Sequence, residues 1–284
     1  MSKSVVITGA NSGIGLVTAI ELAKAGYEVY GTARSAEKVA SLEETAAAKG
    51  ATVHGIVCDV SDAESCEKGF AEIAERTGGG PYAVVNNAGT AQAGAIEDVP
   101  DDLARQQLEI NLVAPARVAR LVLPGMRERG TGHIINISSI AGRMSVPMMG
   151  WYCASKHGLE AMTNALRVEA AASGVKVTLI EPGSFGTSIW EAGGGSMPTS
   201  SDPVYAAAYR RSTQVTSSDS LMPDPIWVAR TIRLALASPR PLARYLIGVD
   251  AVGGAIAEKL VPTAVTDTVK GYVTGLRKLP FVGR

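Results

Sequence analysis

The chain has 284 residues, with 27 Lys plus Arg against 27 Asp plus Glu, so its formal net charge is zero. That length suits one large α/β domain, a class that reaches roughly 250 residues, and it is ample for a full core. A pI near 6.8 excludes the basic surface that displaces counterions from nucleic acid, and three cysteines, Cys58, Cys66 and Cys153, are too few for a disulfide framework.

Short β-branched runs alternate with Ala-rich, charge-bearing stretches. Strands are expected at 5–7, 28–30, 52–57, 83–85, 134–137 and 175–180. Helices are expected near 13–25, 36–49, 62–76, 102–129 and 152–172. The strands are apolar throughout rather than alternating, which suits a parallel sheet covered on both faces. The β-α-β-α rhythm therefore predicts a doubly wound α/β fold of about seven parallel strands with helices on both faces. Residues 186–225 break the rhythm with Gly193-Gly194-Gly195, several prolines and many Ser and Thr, yet they carry Trp190, Met197, Tyr205, Tyr209 and Met222. Polar turns with scattered large apolar residues predict a flap over a pocket. A last strand is expected at 244–249, then a C-terminal extension over 250–284, helical at 251–272 and interrupted at Pro262.

The first strand runs into Thr8-Gly9-Ala10-Asn11-Ser12-Gly13-Ile14-Gly15 and then a helix. Glycines let the chain turn sharply against a pyrophosphate, and the helix N-terminus adds N–H groups and the positive end of its dipole. Gly9, Asn11, Ser12, Gly13, Ile14 and Gly15 are the candidate cradle. The end of the second strand chooses the cofactor. NAD-binding sites place an acid there, whereas an Arg accommodates a 2′-phosphate. This chain has Thr32-Ala33-Arg34-Ser35, so Arg34 predicts a preference for NADP(H), with NAD(H) as the lesser cofactor.

Tyr152 and Lys156 stand four apart in a helical stretch, one turn apart on one face. A tyrosine with its ordinary pKa near 10 is a poor base at neutral pH, and a neighbouring ammonium favours the phenolate. Pro115 lies four residues after Asn111. It has no N–H for the carbonyl of residue 111 and its ring crowds that carbonyl, which predicts a break in the helix there.

With Asp59-Val60 after the third strand and Asn86-Asn87-Ala88-Gly89 after the fourth, the chain resembles the short-chain dehydrogenase/reductase family. The resemblance covers residues 4–190 and implies one Rossmann-type domain. It implies that Asp59 and Val60 meet the adenine, that the backbone of Asn87, Ala88 and Gly89 borders the ribose, and that Asn86 fixes the sheet. It assigns the catalytic serine, 13 residues before the tyrosine, to Ser139, with Ser138 supporting it, and Asn111 to a water relay with Lys156. It implies that Tyr152 exchanges the substrate proton, that Tyr152 and Lys156 both contact the cofactor, and that Lys156 binds the nicotinamide ribose. In Glu181-Pro182-Gly183-Ser184-Phe185-Gly186-Thr187, Pro182, Gly183, the Phe185 backbone and the Thr187 hydroxyl are expected at the nicotinamide. Glu181 replaces the usual Asn or apolar residue and is assigned no part in catalysis.

The tail, with Arg244-Tyr245-Leu246-Ile247-Gly248 and Asp250-Ala251, is similar to that of 17β-hydroxysteroid and retinol dehydrogenases. Met144, Val146, Met148, Met149 and Trp151, between Ser139 and Tyr152, suit an apolar ligand. A hydride-transferring oxidoreductase on a lipophilic carbonyl or secondary alcohol is therefore expected, steroid- or retinoid-like substrates included. The alternative is a non-catalytic nucleotide-binding sensor on the same fold. The resemblance further implies a homodimer, or a tetramer, through the long helices. The apolar start Val5-Val6-Ile7 is broken by Thr8-Gly9, unlike a signal peptide, and the longest uncharged run is rich in Gly and Asn, so a cytoplasmic protein is expected. No Cys/His spacing suggests a metal.

Overall fold

An apolar strand between two layers of helices buries both faces, and successive side chains alternate between them. The computed structural model shows this division, and it describes residues 3–185, 189, 202–216 and 223–277. Seven parallel strands, β1 (Ser4–Ile7), β2 (Glu28–Ala33), β3 (Val53–Val57), β4 (Ala83–Asn86), β5 (Gly132–Ile137), β6 (Val175–Pro182) and β7 (Arg244–Ile247), lie in the order β3-β2-β1-β4-β5-β6-β7. Val5, Ile7, Val85, Ile135 and Ile180 face one helical layer, with Leu22, Leu42 and Ile232. Val6, Val84, Ile134 and Val177 face the other, with Phe70, Ile73, Val118 and Val122. This is a single Rossmann-type α/β domain.

The helices are α1 (Gly13–Lys24), α2 (Ala36–Ala48), α3 (Ala63–Thr77), α4 (Asp101–Leu108), α5 (Ala114–Glu128), α6 (Gly150–Ala171), α7 (Ala206–Thr216), α8 (Ile226–Ala237), α9 (Val249–Leu260) and α10 (Thr263–Thr274). The long helix expected over 102–129 is divided. Between α4 and α5, Glu109–Val113 forms a π turn in which the Ala114 N–H donates to the Glu109 carbonyl. Pro115, without an N–H to offer, stands just past that wide turn.

The sequence reading names no element for 226–237. There α8 buries Val228, Ala229, Ile232, Ala235 and Leu236, a spacing that fits a helix. The last strand is shorter than expected because Gly248, at φ 109°, turns the chain into α9. Pro262 separates α9 from α10, as the sequence suggested. Most of the expected flap, with Gly186, Thr187, Trp190, Met197 and Met222, lies outside the described residues.

Candidate active site

Strand order reverses between β1 and β4, and a crevice outside the carboxyl ends of the strands at such a switch point is the common ligand site of open parallel sheets. Here the loops after β1 and β4 are locked together. The Thr8 hydroxyl accepts the N–H groups of Asn87 and Ala88, each at 3.0 Å. Asn87 Nδ2 donates to the carbonyls of Thr8, at 2.9 Å, and Gly9, at 3.2 Å. Gly9 has φ +63°, and a Cβ on it would come within 2.9 Å of Ala88 Cα. A Cβ on Gly15 would come within 2.5 Å of both Asn87 Nδ2 and the Gly9 carbonyl. Only glycine permits this approach.

The helix that starts here is left open at its N-terminus. Ser35 caps α2 and Asp62 caps α3 through their side chains. Ser12, at the N-cap of α1, makes no such bond, and the first turn of α1 contains no acid. The first N–H groups of α1, with Asn11, Ser12, Gly13 and Ile14 around them, can therefore receive an anion. Arg34 is exposed one residue beyond β2, with no salt bridge among the described residues.

The loop after β3 is tied on both sides. Asp59 Oδ1 accepts from the Ser61 N–H, at 3.0 Å, and hydroxyl, at 2.7 Å. The Val60 carbonyl accepts from Arg117 Nη1 at 2.7 Å, and Arg117 also pairs with Glu109 in the π turn. Arg117 thus joins the Asp59-Val60 loop to the turn that carries Asn111. The sequence reading missed it; a helical Arg eight residues after a Glu carries no local signal. After β6, the Gly183 N–H donates to the Ile247 carbonyl at 2.8 Å, and the Ser184 N–H donates to Asp250 Oδ2 at 2.7 Å. Pro182 ends β6, and the Phe185 ring is buried in the core. These cradle glycines, uncapped N–H groups and Arg34 fit a dinucleotide with a phosphorylated ribose.

At the other end of the crevice, Tyr152 and Lys156 are both buried on α6. Lys156 Nζ donates to the Ile137 carbonyl, at the end of β5, at 2.9 Å, and stands 5.8 Å from the Tyr152 ring centre. Ser139, two residues beyond that carbonyl, hydrogen-bonds the Tyr152 side chain. Its Oγ also accepts the Ala141 N–H at 3.1 Å. Ser138 is buried, and its Oγ lies where a Cβ on Gly142 would come within 2.7 Å. The two neighbouring serines are thus separated by geometry, and Ser139 is the one at the tyrosine.

Asn111 is clamped by its side chain. Oδ1 accepts the Thr90 N–H at 2.9 Å, and Nδ2 donates to the Thr90 carbonyl at 2.9 Å and to Ser155 Oγ at 3.0 Å. The main chain of Asn111 lies in the π turn. Ser155 was not singled out from sequence, although its place between Tyr152 and Lys156 is a signal.

The electrostatics differ from expectation at one point. Burial pushes the Tyr152 phenol up to about 12, against the lowering effect of the Ser139 hydrogen bond. Burial pushes Lys156 down to about 8, with Glu160 opposing. The protein alone therefore holds Tyr152 as a neutral acid, because desolvation outweighs the hydrogen bond from Ser139.

The apolar run between Ser139 and Tyr152 divides. Val146, Met149 and Ile189 pack beside Tyr152, Ala91 and Cys153. Met148, at φ 68°, is buried among Ala95, Tyr205 and Tyr209, and Met144 Sδ lies against Gly254. The Tyr209 hydroxyl donates to Asp98 Oδ2 at 2.7 Å, and Arg211 Nη1 donates to the carbonyls of Tyr272 and Val273. Helix α7 is thereby braced between the loop after β4 and the C-terminal helix α10.

Residues 3–194 match the family described as short chain dehydrogenase. The chain belongs to the short-chain dehydrogenase family. It is an oxidoreductase of that family. This short-chain dehydrogenase is 33% identical over 281 residues to the NADPH-dependent 3-dehydrocapnine reductase of Ornithobacterium rhinotracheale, covering 96% of this chain and 97% of that one. A short-chain dehydrogenase from Streptomyces avermitilis has a similar structure, with a TM-score of 0.78 at 34% identity over 96% of this chain and 95% of that one. A variant of the actinorhodin polyketide ketoreductase, solved with NADPH, superposes with a TM-score of 0.71 at 32% identity, over 87% and 95% of the two chains. Among the described residues, no helix is long and apolar enough to cross a membrane.

Proposed function

We propose that the protein is an NADP(H)-dependent reductase or dehydrogenase that interconverts a ketone and a secondary alcohol on a lipophilic substrate. The observation that carries this reading is the buried cluster in which Ser139 bonds Tyr152 and the Tyr152 ring stands over Lys156. When bound, the nicotinamide supplies or takes the hydride, as cofactors carry such chemistry generally. Ser139 holds the substrate oxygen and Tyr152 gives it a proton in reduction. The high pKa of Tyr152 suits the acid role, since it keeps the proton on the phenol until the oxygen becomes basic. Lys156 stabilises the phenolate that remains and holds the nicotinamide ribose. Asn111, through its main chain, supports a water that returns the proton.

At the other end, Gly9 to Gly15 receive the pyrophosphate, Arg34 the 2′-phosphate, Asp59 and Val60 the adenine, and Asn87 to Gly89 the ribose. Pro182, Gly183 and the backbone of Phe185 border the nicotinamide, and the Thr187 hydroxyl is assigned to its carboxamide. The relative named for NADPH and the ketoreductase solved with NADPH support this choice of cofactor. The apolar side chains beside Tyr152 support a lipophilic ketone, in keeping with the resemblance to steroid and retinol dehydrogenases. Turnover with NADPH and with NADH, over a panel of hydrophobic ketones and alcohols, tests the reading. Wild type is expected to favour NADPH and Tyr152→Phe to be inactive; a Tyr152→Phe protein that turns over like wild type would falsify it.

A further inference from the structure

Behind the catalytic cluster lies a second buried group of charges that takes no part in the hydride and proton transfer. Glu160 follows Lys156 by one turn of α6, and Glu181 ends the apolar part of β6. They are 6% and 0% exposed. Arg244 Nη1 reaches Glu160 Oε2 at 3.0 Å and Glu181 Oε1 at 3.4 Å, and Arg143 Nη1 reaches Glu181 Oε2 at 3.6 Å. Arg244 Nη2 and Arg167 Nη1 converge on Asn164 Oδ1, at 2.7 and 2.9 Å. Among the described residues, Glu160 Oε1 and Glu181 Oε2 accept no hydrogen bond, and a single guanidinium nitrogen, Arg244 Nη1, bridges the two carboxyls. Two facing acceptors repel; one proton between them satisfies both.

The pair also touches the machinery. A Cβ on Gly142 would come within 2.9 Å of Glu160 Cγ, so the turn that begins at Ser139 rests on Glu160, and Arg143 closes that turn. The charged groups facing the pair are Arg143 from the turn, Lys156 and Arg167 from α6, and Arg244 from β7. From α9, Lys259 shares with Arg143 a shallow cavity of about 340 Å³, and Asp250 is engaged by Ser184.

We propose that Glu160 and Glu181 share one proton and act as a positioning pair, which supports the Ser139 turn and sets how tightly Lys156 holds its own proton. Burial and the charge of Glu160 hold the Glu181 carboxyl up at about 7, so the pair changes charge in the neutral range. When it loses its proton, the added negative charge favours the Lys156 ammonium.

The functional half of this proposal rests on Lys156 being catalytic; the shared proton does not. Infrared difference spectroscopy against pH, on the wild-type protein, is expected to show a buried protonated carboxyl that ionises near neutrality and is missing in Glu181→Gln. Absence of such a band in wild type, or its persistence in Glu181→Gln, overturns the shared proton whether or not the enzyme turns over. For the second half, Glu160→Gln is expected to move the alkaline loss of kcat down by about one pH unit, since an opposite charge has been removed near Lys156. A uniform drop in kcat with an unmoved pH profile would mean structural support only and would overturn the tuning role. Inactive Glu160→Gln leaves Glu181→Gln to read the same shift, expected smaller and in the same direction. Failure of the catalytic reading is separate: it shows as an active Tyr152→Phe.

Discussion

The nucleotide end of the crevice is made of backbone, and the catalytic end is made of side chains. At the first, Gly9 and Gly15 bring two loops into main-chain contact, and the first turn of α1 presents N–H groups that its own N-cap leaves open. At the second, Ser139, Tyr152, Lys156 and Asn111 come from three separate stretches of chain and meet through hydrogen bonds. A backbone site tolerates changes of side chain but no added Cβ. A side-chain site tolerates little change of functional group but needs no glycine. The two ends are therefore expected to fail in different ways.

The largest expected effect is at the catalytic end. Tyr152→Phe removes the proton donor, and general acid–base catalysis contributes about 10²- to 10⁴-fold. Turnover is expected to fall by that factor, while NADPH binding, measured by fluorescence titration, stays close to that of wild type. Loss of binding as well would mean that the two ends are not separable.

Gly15→Val is the reverse test. Its Cβ would stand 2.5 Å from Asn87 Nδ2 and the Gly9 carbonyl. It is expected to abolish measurable NADPH binding while circular dichroism still reports a folded α/β protein.

A smaller change should follow Arg34→Asp. A hydrogen bond to a charged group contributes about 1.5–3 kcal/mol, so the ratio of NADPH to NADH affinity is expected to drop by roughly 10- to 100-fold. An unchanged ratio would remove Arg34 from the site.

The smallest effect concerns stability. Lys156 is lowered to about 8 in the fold, against 10.5 when free. Between those values the unfolded chain binds more protons than the folded one, so stability rises with pH across that window. Below pH 8 both states are protonated and the cost of the buried charge is fully present. Lys156→Met is expected to flatten this rise in urea titrations at pH 7.5 and 10. A rise as steep as that of wild type would place the titrating group elsewhere.

Signals confined to one segment were legible without tertiary structure. The apolar strand runs, the glycine loop, Arg34 after β2, the Tyr152–Lys156 spacing and the break at Pro262 each sit within a few consecutive residues. The kink at Pro115 could be read as a lost N–H, but its form, a π turn bridged to the Asp59-Val60 loop by Arg117, could not. Helix α8 is legible in principle from its apolar spacing, but the Ser- and Pro-rich stretch before it masks where the helix begins.

The sequence by itself determined the alternation of strand and helix, because burial on two faces of a sheet demands unbroken apolar runs, and it determined which short segments carry the chemistry. Only the tertiary structure decided the protonation landscape. Burial raises Tyr152 and lowers Lys156, and that depends on what surrounds them from every side. Residues 143, 160, 181 and 244 become neighbours only when the turn after β5, helix α6 and strands β6 and β7 pack together. Desolvation and charge pairing act through space, and a linear spacing has no means of expressing them.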